Sequence, residues 1–261
     1  MIEISLRKDM TDSSLINFRN EAIQENIKVV SVDCFDTLLL REPKSESKRF
    51  LEISSAQIAS LNKKGICCHS NANDLRNLRI NITREWNKDK HFNSFANLPM
   101  HQSILTKIVG EIGLPEKSVA LMREAELNYE LGVLRPNKKL IKILNELIRY
   151  GKRIILISDM YLSGDDISFL VEKLCINLSV ARVYSSADFK MTKKSGRLYK
   201  KVLINENIKP QAMIHAGDNK FSDVIMAKKY EIYSIHTPRG WIFNLINFSN
   251  KVLDRLNFFL K

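Results

Sequence analysis

No stretch of this chain approaches the roughly 18 consecutive apolar residues that a membrane span needs, so none is expected to cross a bilayer. The opening residues MIEISLRKDM lack the apolar core of a secretory leader, and the expectation is a cytoplasmic protein. Cysteine is scarce. Cys34, Cys67, Cys68 and Cys175 lack metal-finger spacing, the adjacent pair is badly placed to bridge, and reduced thiols are the consistent reading. Six prolines and nine glycines exclude a linker or a low-complexity chain, and no internal repeat is visible. What remains is globular: 261 residues, 44% hydrophobic and 27% charged, suit one large domain or two modest ones. The net charge of +12 favours anionic partners. The lysines are spread along the whole chain, with only short pairs such as Lys193-Lys194 and Lys228-Lys229. A diffuse charge of that kind reads as a solvated surface, so nucleic acid is not the expected partner.

Hydrophobic periodicity divides the chain in three. Residues 11–26 read as a helix with Leu15, Phe18 and Ala22 on one stripe, followed by a β-branched strand over 27–33. From 45 to 146 the pattern is helical, with no convincing strand. Strands are then predicted at 153–158, 181–186, 212–217 and 231–236. Helices at 163–174 (capped by Ser163), 195–207 and 221–230 separate them. That alternation predicts an α/β fold: a Rossmann-like parallel β-sheet core flanked by helices, interrupted by an inserted all-helical domain. The core is discontinuous, 1–41 and 147–261, and the insertion is 42–146. The last twenty-odd residues, WIFNLINFSNKVLDRLNFFLK, are amphipathic, with Ile242, Ile246, Leu253, Leu256 and Leu260 near one face. Packing on the core or on a second copy of the chain is favoured there over lying on a membrane surface.

In an open parallel sheet, ligands gather beyond the C-terminal ends of the strands. Polar residues stand at that edge after each predicted strand. Asp33 ends the first, Ser158 and Asp159 follow the second, and Asp218 follows Gly217 with Asp223 one turn on. The connection after 181–186 carries Thr192, Lys193, Lys194 and Gly196. Taken singly, a carboxylate there caps a helix and a lysine is merely solvated. Together they bring several carboxylates, a hydroxyl and an ammonium to one place. Neighbouring acids repel unless a cation sits among them, and a hard divalent ion such as Mg2+ resolves that repulsion. A hydroxyl and a lysine opposite the ion can hold phosphoryl oxygens, while a carboxylate attacks phosphorus.

This arrangement resembles the haloacid dehalogenase-like superfamily of hydrolases, in four motifs in the expected order. VSVDCFDTLLLR is similar to the first, LISDMY to the second, TKKSG to the third and HAGDNKFSD to the fourth. The resemblance implies a helical cap inserted between the first and second motifs, an aspartyl-phosphate intermediate on Asp33, and phosphate contacts from Thr37, Ser158 and Lys193, with Lys194 the alternate lysine. It implies Mg2+ held by Asp33, the carbonyl of Phe35, Asp218 and Asp223. The wording is closest to a bacterial subgroup that occurs with, or fused to, glycosyltransferases of surface-polysaccharide synthesis. A sugar phosphate or glycan precursor is then the expected substrate, and a glycosyltransferase or a second copy of the chain the expected partner.

One position departs from the pattern. Phosphatases of this family carry a second Asp two residues after the nucleophile, and this chain has Phe35. A phenyl ring transfers no proton, and general acid–base help is worth roughly 10²- to 10⁴-fold. Asp36 and Asp159 are substitutes to weigh. Two further readings compete with a phosphatase. One is a dehalogenase, whose branch also has an aromatic there but uses no metal. The other is a weak or inactive domain that binds a phosphorylated ligand or a partner protein. Arg41, Arg84 and Arg135 are the candidates for holding a second anionic group of the substrate. His215, inside a predicted strand, reads as structural.

Overall fold

A computed structural model describes residues 12–88, 98–240, 243, 245, 246, 248–250 and 252. The chain divides into two compact units, one of Met1–Glu42 with Leu134–Asn244 and one of Pro43–Val133 with Leu245–Lys261.

The first unit is built on a parallel sheet. In chain order its elements are α1 (Asp12–Ala22), β1 (Val29–Val32) and β2 (Leu39–Leu40). Beyond the second unit's α2 (Glu46–Lys63), α3 (Ala72–Lys88), α4 (Met100–Glu111) and α5 (Ser118–Val133), it resumes with β3 (Arg135–Pro136), α6 (Lys138–Arg149), β4 (Arg153–Ser158) and α7 (Gly164–Leu174). It then adds β5 (Arg182–Ser185), α8 (Ser186–Phe189), α9 (Arg197–Glu206), β6 (Met213–Gly217), a π-helical turn (Lys220–Ile225), α10 (Met226–Lys229) and β7 (Tyr233–His236). The sheet runs β5-β4-β1-β6-β7, all pairs parallel, with β1 central.

The β-branched run that predicted β1 is buried on both faces, as a central parallel strand requires. Alternate residues serve opposite layers. Val29, Ile155, Ile157 and Met213 pack with Leu198, Tyr199 and Val202 of α9 and Met226 and Ala227 of α10. Helices α1 and α6 lie against the sheet through β6, β7 and β4. Helix α7 begins where expected: the Ser163 hydroxyl accepts the N–H of Asp166, whose carboxylate accepts the N–H of Ser163.

Two expectations need correcting. The helical stretch is not free of strands, because β3 pairs antiparallel with β2. Two residues per strand are too few to show any period. The inserted block also ends earlier than read: Leu134 to residue 146 cluster with the sheet unit, and α6 packs on β4 and α1. Leu140, Leu144 and Leu147 give α6 its buried stripe. Periodicity identifies such a stripe but not the unit that covers it.

In the second unit, α2 to α5 enclose a core of Leu61, Leu75, Ile82, Ile104, Leu105, Ile108 and Met122. Beside that core, the Glu126 carboxylate of α5 accepts both guanidinium arms of Arg79 from α3, at 2.6 and 2.7 Å. His101 of α4 reaches it at 2.9 Å and Gln57 of α2 at 3.4 Å, so one carboxylate joins four helices. Among the described residues no helix is long and apolar enough to cross a membrane. Ile242, Leu253, Leu256 and Leu260 of the expected C-terminal helix lie outside the described residues.

Candidate active site

The parallel register carries the polar strand ends to one edge of the sheet. Asp33 leaves β1 with its N–H bonded to the Ala216 carbonyl of β6 at 2.8 Å. Ser158 is the last residue of β4, and Asp218 follows Gly217 at the end of β6. Asp33, Phe35, Ser158, Lys193, Asp218 and Asp223 all line one cavity of about 150 Å³. The expected carboxylates, hydroxyl and lysine therefore converge on one cavity.

The lysine arrives from the loop before α9. Asp159 fixes that loop, its carboxylate accepting the backbone N–H of Lys193 at 2.7 Å and of Lys194 at 3.2 Å. Lys193 is buried and Lys194 is exposed. The Lys193 ammonium bonds to Asp33, and it lies 2.6 Å from Asp223. Burial pulls its pKa down, but the two carboxylates more than offset this and hold it well above the ordinary lysine value.

Asp223 is set by the π-helical turn. The Asn219 side chain accepts the N–H groups of Phe221 and Ser222, both at 3.0 Å, and the Asn219 N–H donates to Asp223 at 2.9 Å. π-Helical turns of this kind recur at functional sites. Gly217 is required beside it, because a Cβ there would stand 2.3 Å from the Asp223 carboxyl carbon.

One oxygen from each of Asp33, Asp218 and Asp223 falls within 4.8 Å of the others. Burial pushes Asp33 well above the usual carboxylate range, against the pull of Lys193. Burial, then Asp36 and Asp223, push Asp218 up to about 7. Asp223 goes the other way: burial is overcome by Lys193 and His215, and its pKa is depressed. One ammonium thus stands among three clustered carboxylates, Asp33 and Asp223 buried and Asp218 half-buried. The excess negative charge and all-oxygen donor set fit a hard divalent cation such as Mg2+.

Arg41 and Arg135 are not among the residues that line this cavity, and Asp159 is. Thr37 is fully buried and is not among the residues lining the cavity; its hydroxyl has no hydrogen-bond partner among the described residues, and its carbonyl accepts from Asn137 at 3.0 Å. Arg41 lies over the Phe35 ring at 4.8 Å. Arg135 is exposed on β3, and Arg84 is exposed on α3 in the other unit. The two substitute acids are engaged: Asp159 by the lysine loop, and Asp36, at φ +62, by Arg239 at 3.1 Å. The sequence reading missed Met160, Asn219 and Ser222, which also line the cavity. Asn219 and Ser222 were in view inside GDNKFSD, but an amide and a hydroxyl in a helical stretch carry no pattern of their own.

A model of the family described as haloacid dehalogenase-like hydrolase matches residues 76–237, a span that holds the second, third and fourth motifs and starts beyond the first. No curated protein matches the chain in sequence. Among solved structures, a 2-haloacid dehalogenase from Pseudomonas syringae pv. tomato DC3000 is 16% identical with a TM-score of 0.54, over 88% of this chain and 99% of that one. A HAD-family enzyme from Bacteroides thetaiotaomicron is 17% identical with a TM-score of 0.52, over 82% and 95%. Its wild-type form is solved in complex with magnesium and inorganic phosphate, at 16% identity, a TM-score of 0.50, and 82% and 97% coverage. These likenesses are of fold.

Proposed function

The chain belongs to the haloacid dehalogenase-like hydrolase family, and on that premise we propose that it is a Mg2+-dependent phosphohydrolase of small phosphorylated metabolites, a sugar phosphate or glycan precursor being favoured. The observation that carries this reading is the oxygen cluster of Asp33, Asp218 and Asp223 beside Ser158 and Lys193 in one cavity. The magnesium and phosphate held by the Bacteroides enzyme are the ligands this reading carries over.

In the proposed reaction an Asp33 oxygen attacks phosphorus. An O–P bond forms, the bond to the leaving oxygen breaks, and an aspartyl phosphate results. Ser158 and Lys193 hold the phosphoryl oxygens, and Lys193 offsets their charge. Asp33, Asp218, Asp223 and the Phe35 carbonyl would hold the metal, whose contribution when bound is to neutralise phosphate charge. Water then attacks phosphorus and frees Asp33. The leaving oxygen takes its proton from solvent, because Phe35 has none to give.

Phe35 supports a second reading, a domain that binds a phosphorylated ligand and turns it over poorly. Purified protein with Mg2+ and p-nitrophenyl phosphate or a sugar-phosphate panel decides. Phosphate release that Asp33→Asn abolishes supports the hydrolase. Silence across the panel, with phosphate and Mg2+ still bound, supports the binding domain. Haloacid turnover in EDTA would sink both.

A further inference from the structure

The centre of the sheet contains a polar pair that packing does not explain. Ser31 of β1 and His215 of β6 stand opposite each other in the register, and both are fully buried. Their strand neighbours are Val30, Val32, Ile214 and Ala216. Parallel strands covered on both faces are apolar, and burying a hydroxyl and an imidazole there is costly unless each finds a partner. A valine and a larger apolar residue would fill the same space.

The partners lead to the active site. Ser31 Oγ lies 2.8 Å from His215 Nδ1, and His215 Nε2 lies 3.3 Å from Asp223 Oδ1. That same oxygen faces the Lys193 ammonium at 2.6 Å, and Lys193 bonds in turn to Asp33. We propose that Ser31 and His215 form a buried positioning pair that aims the Asp223 carboxylate and, through it, Lys193 and the Asp33 nucleophile.

The assignment of protons follows from the acceptors. Asp223 offers only acceptor oxygens, which puts a ring proton on Nε2, while Nδ1 meets the Ser31 hydroxyl at 2.8 Å. Ser31 Oγ also lies 3.1 Å from the Ile214 carbonyl. Hydroxyl and imidazole thus hold each other in line with the carboxylate. The edge of the Tyr199 ring, 5.3 Å from the imidazole between centroids, holds the plane, and Tyr199 donates to the Ser222 carbonyl at 2.9 Å. Asp223 is thus fixed at both oxygens, Oδ1 by His215 and Lys193, and Oδ2 by the Asn219 N–H. Residues that orient ligating groups in this way shape a site they never touch.

This inference rests on the proposed function, and its test separates the two. Mg2+ binding to the full chain is measured by calorimetry, beside turnover of p-nitrophenyl phosphate, for His215→Leu, His215→Gln and Ser31→Ala. His215→Leu should weaken Mg2+ binding by roughly 10- to 100-fold and lower kcat more than it changes KM. His215→Gln returns an N–H near the Nε2 position and should recover most of both. Ser31→Ala should lose less, in the same direction. Wild-type Mg2+ affinity and kcat in His215→Leu, or no recovery in His215→Gln, would overturn the pair. If His215→Leu does not fold, a Ser31→Ala protein indistinguishable from wild type overturns it equally. A wild type that binds Mg2+ but releases no phosphate overturns the proposed reaction, while the variants' Mg2+ affinities still judge the pair.

Discussion

The Asp159 carboxylate accepts the backbone N–H of Lys193 at 2.7 Å, across 34 residues of sequence. The residue after Ser158 therefore holds the loop that carries Lys193. Removing it should let that loop drift, and misplacement of about 1 Å can cost about 10²-fold in rate. Asp159→Ala is expected to lose activity on that scale in kcat/KM for p-nitrophenyl phosphate. Asp159→Asn, which keeps one acceptor oxygen, should lose less.

Lys193→Met removes the ammonium that is bonded to both Asp33 and Asp223. Breaking a buried ion pair from one side costs about 3–5 kcal/mol. The variant should therefore melt earlier than wild type in EDTA. Added Mg2+ should stabilise the variant more than the wild type, because a cation replaces the missing charge. Thermal unfolding with and without the ion gives the comparison.

At Gly217 an added Cβ meets the Asp223 carboxyl carbon at 2.3 Å. Asp223 is held from several sides and has little room to yield. Gly217→Ala should destabilise the fold by about 1–3 kcal/mol, the usual cost of overpacking, and should lose Mg2+ affinity in calorimetry.

Phe35→Asp places a carboxyl group at a residue that lines the cavity. Turnover of alkyl phosphates, whose leaving oxygen needs a proton most, should rise by up to about 10²-fold. Phe35→Ala is the control. Equal rates for the two variants would show that proton supply is not what limits the reaction.

The helical unit has its own acid limit. Burial works to raise the Glu126 carboxyl, but Arg79 and His101 overcome it and hold its pKa below the ordinary value. A carboxylate depressed in the folded state adds stability that is complete above its unfolded pKa, about 4.3. That stability is lost as pH falls through the lower, folded value. Urea unfolding followed by circular dichroism should show stability dropping on acidification below about 4. Glu126→Gln should be less stable at neutral pH by about 3–5 kcal/mol, with Arg79 left buried without its carboxylate, and less sensitive to acid.

The sheet and its polar edge were legible because each rests on a local signal. Ile154 to Ile157 form an unbroken apolar run, and a carboxylate stands directly after β1, β4 and β6. The join between β2 and β3 was not legible, since it rests on two residues a side that meet across almost a hundred positions. The engagement of Asp36 was hidden for a similar reason: its partner Arg239 lies 203 residues away, and nothing near either residue marks the pairing. His215 was visible as an oddity in a strand, yet its meaning depended on which residue faced it in the next strand. Register supplies that answer, and sequence period does not.

The middle strand of the sheet is also the first to be synthesised. Its two neighbours are Arg153–Leu156 and Met213–Ala216. During translation, Val29–Val32 must wait for residues far downstream before either flank finds a ladder partner. A growing chain halted before Met213 exposes a short, β-branched, uncharged segment of the kind that seeds aggregation. Fragments truncated there should be recovered from the pellet, and co-translational folding of this half of the molecule should begin only as its last strands leave the ribosome.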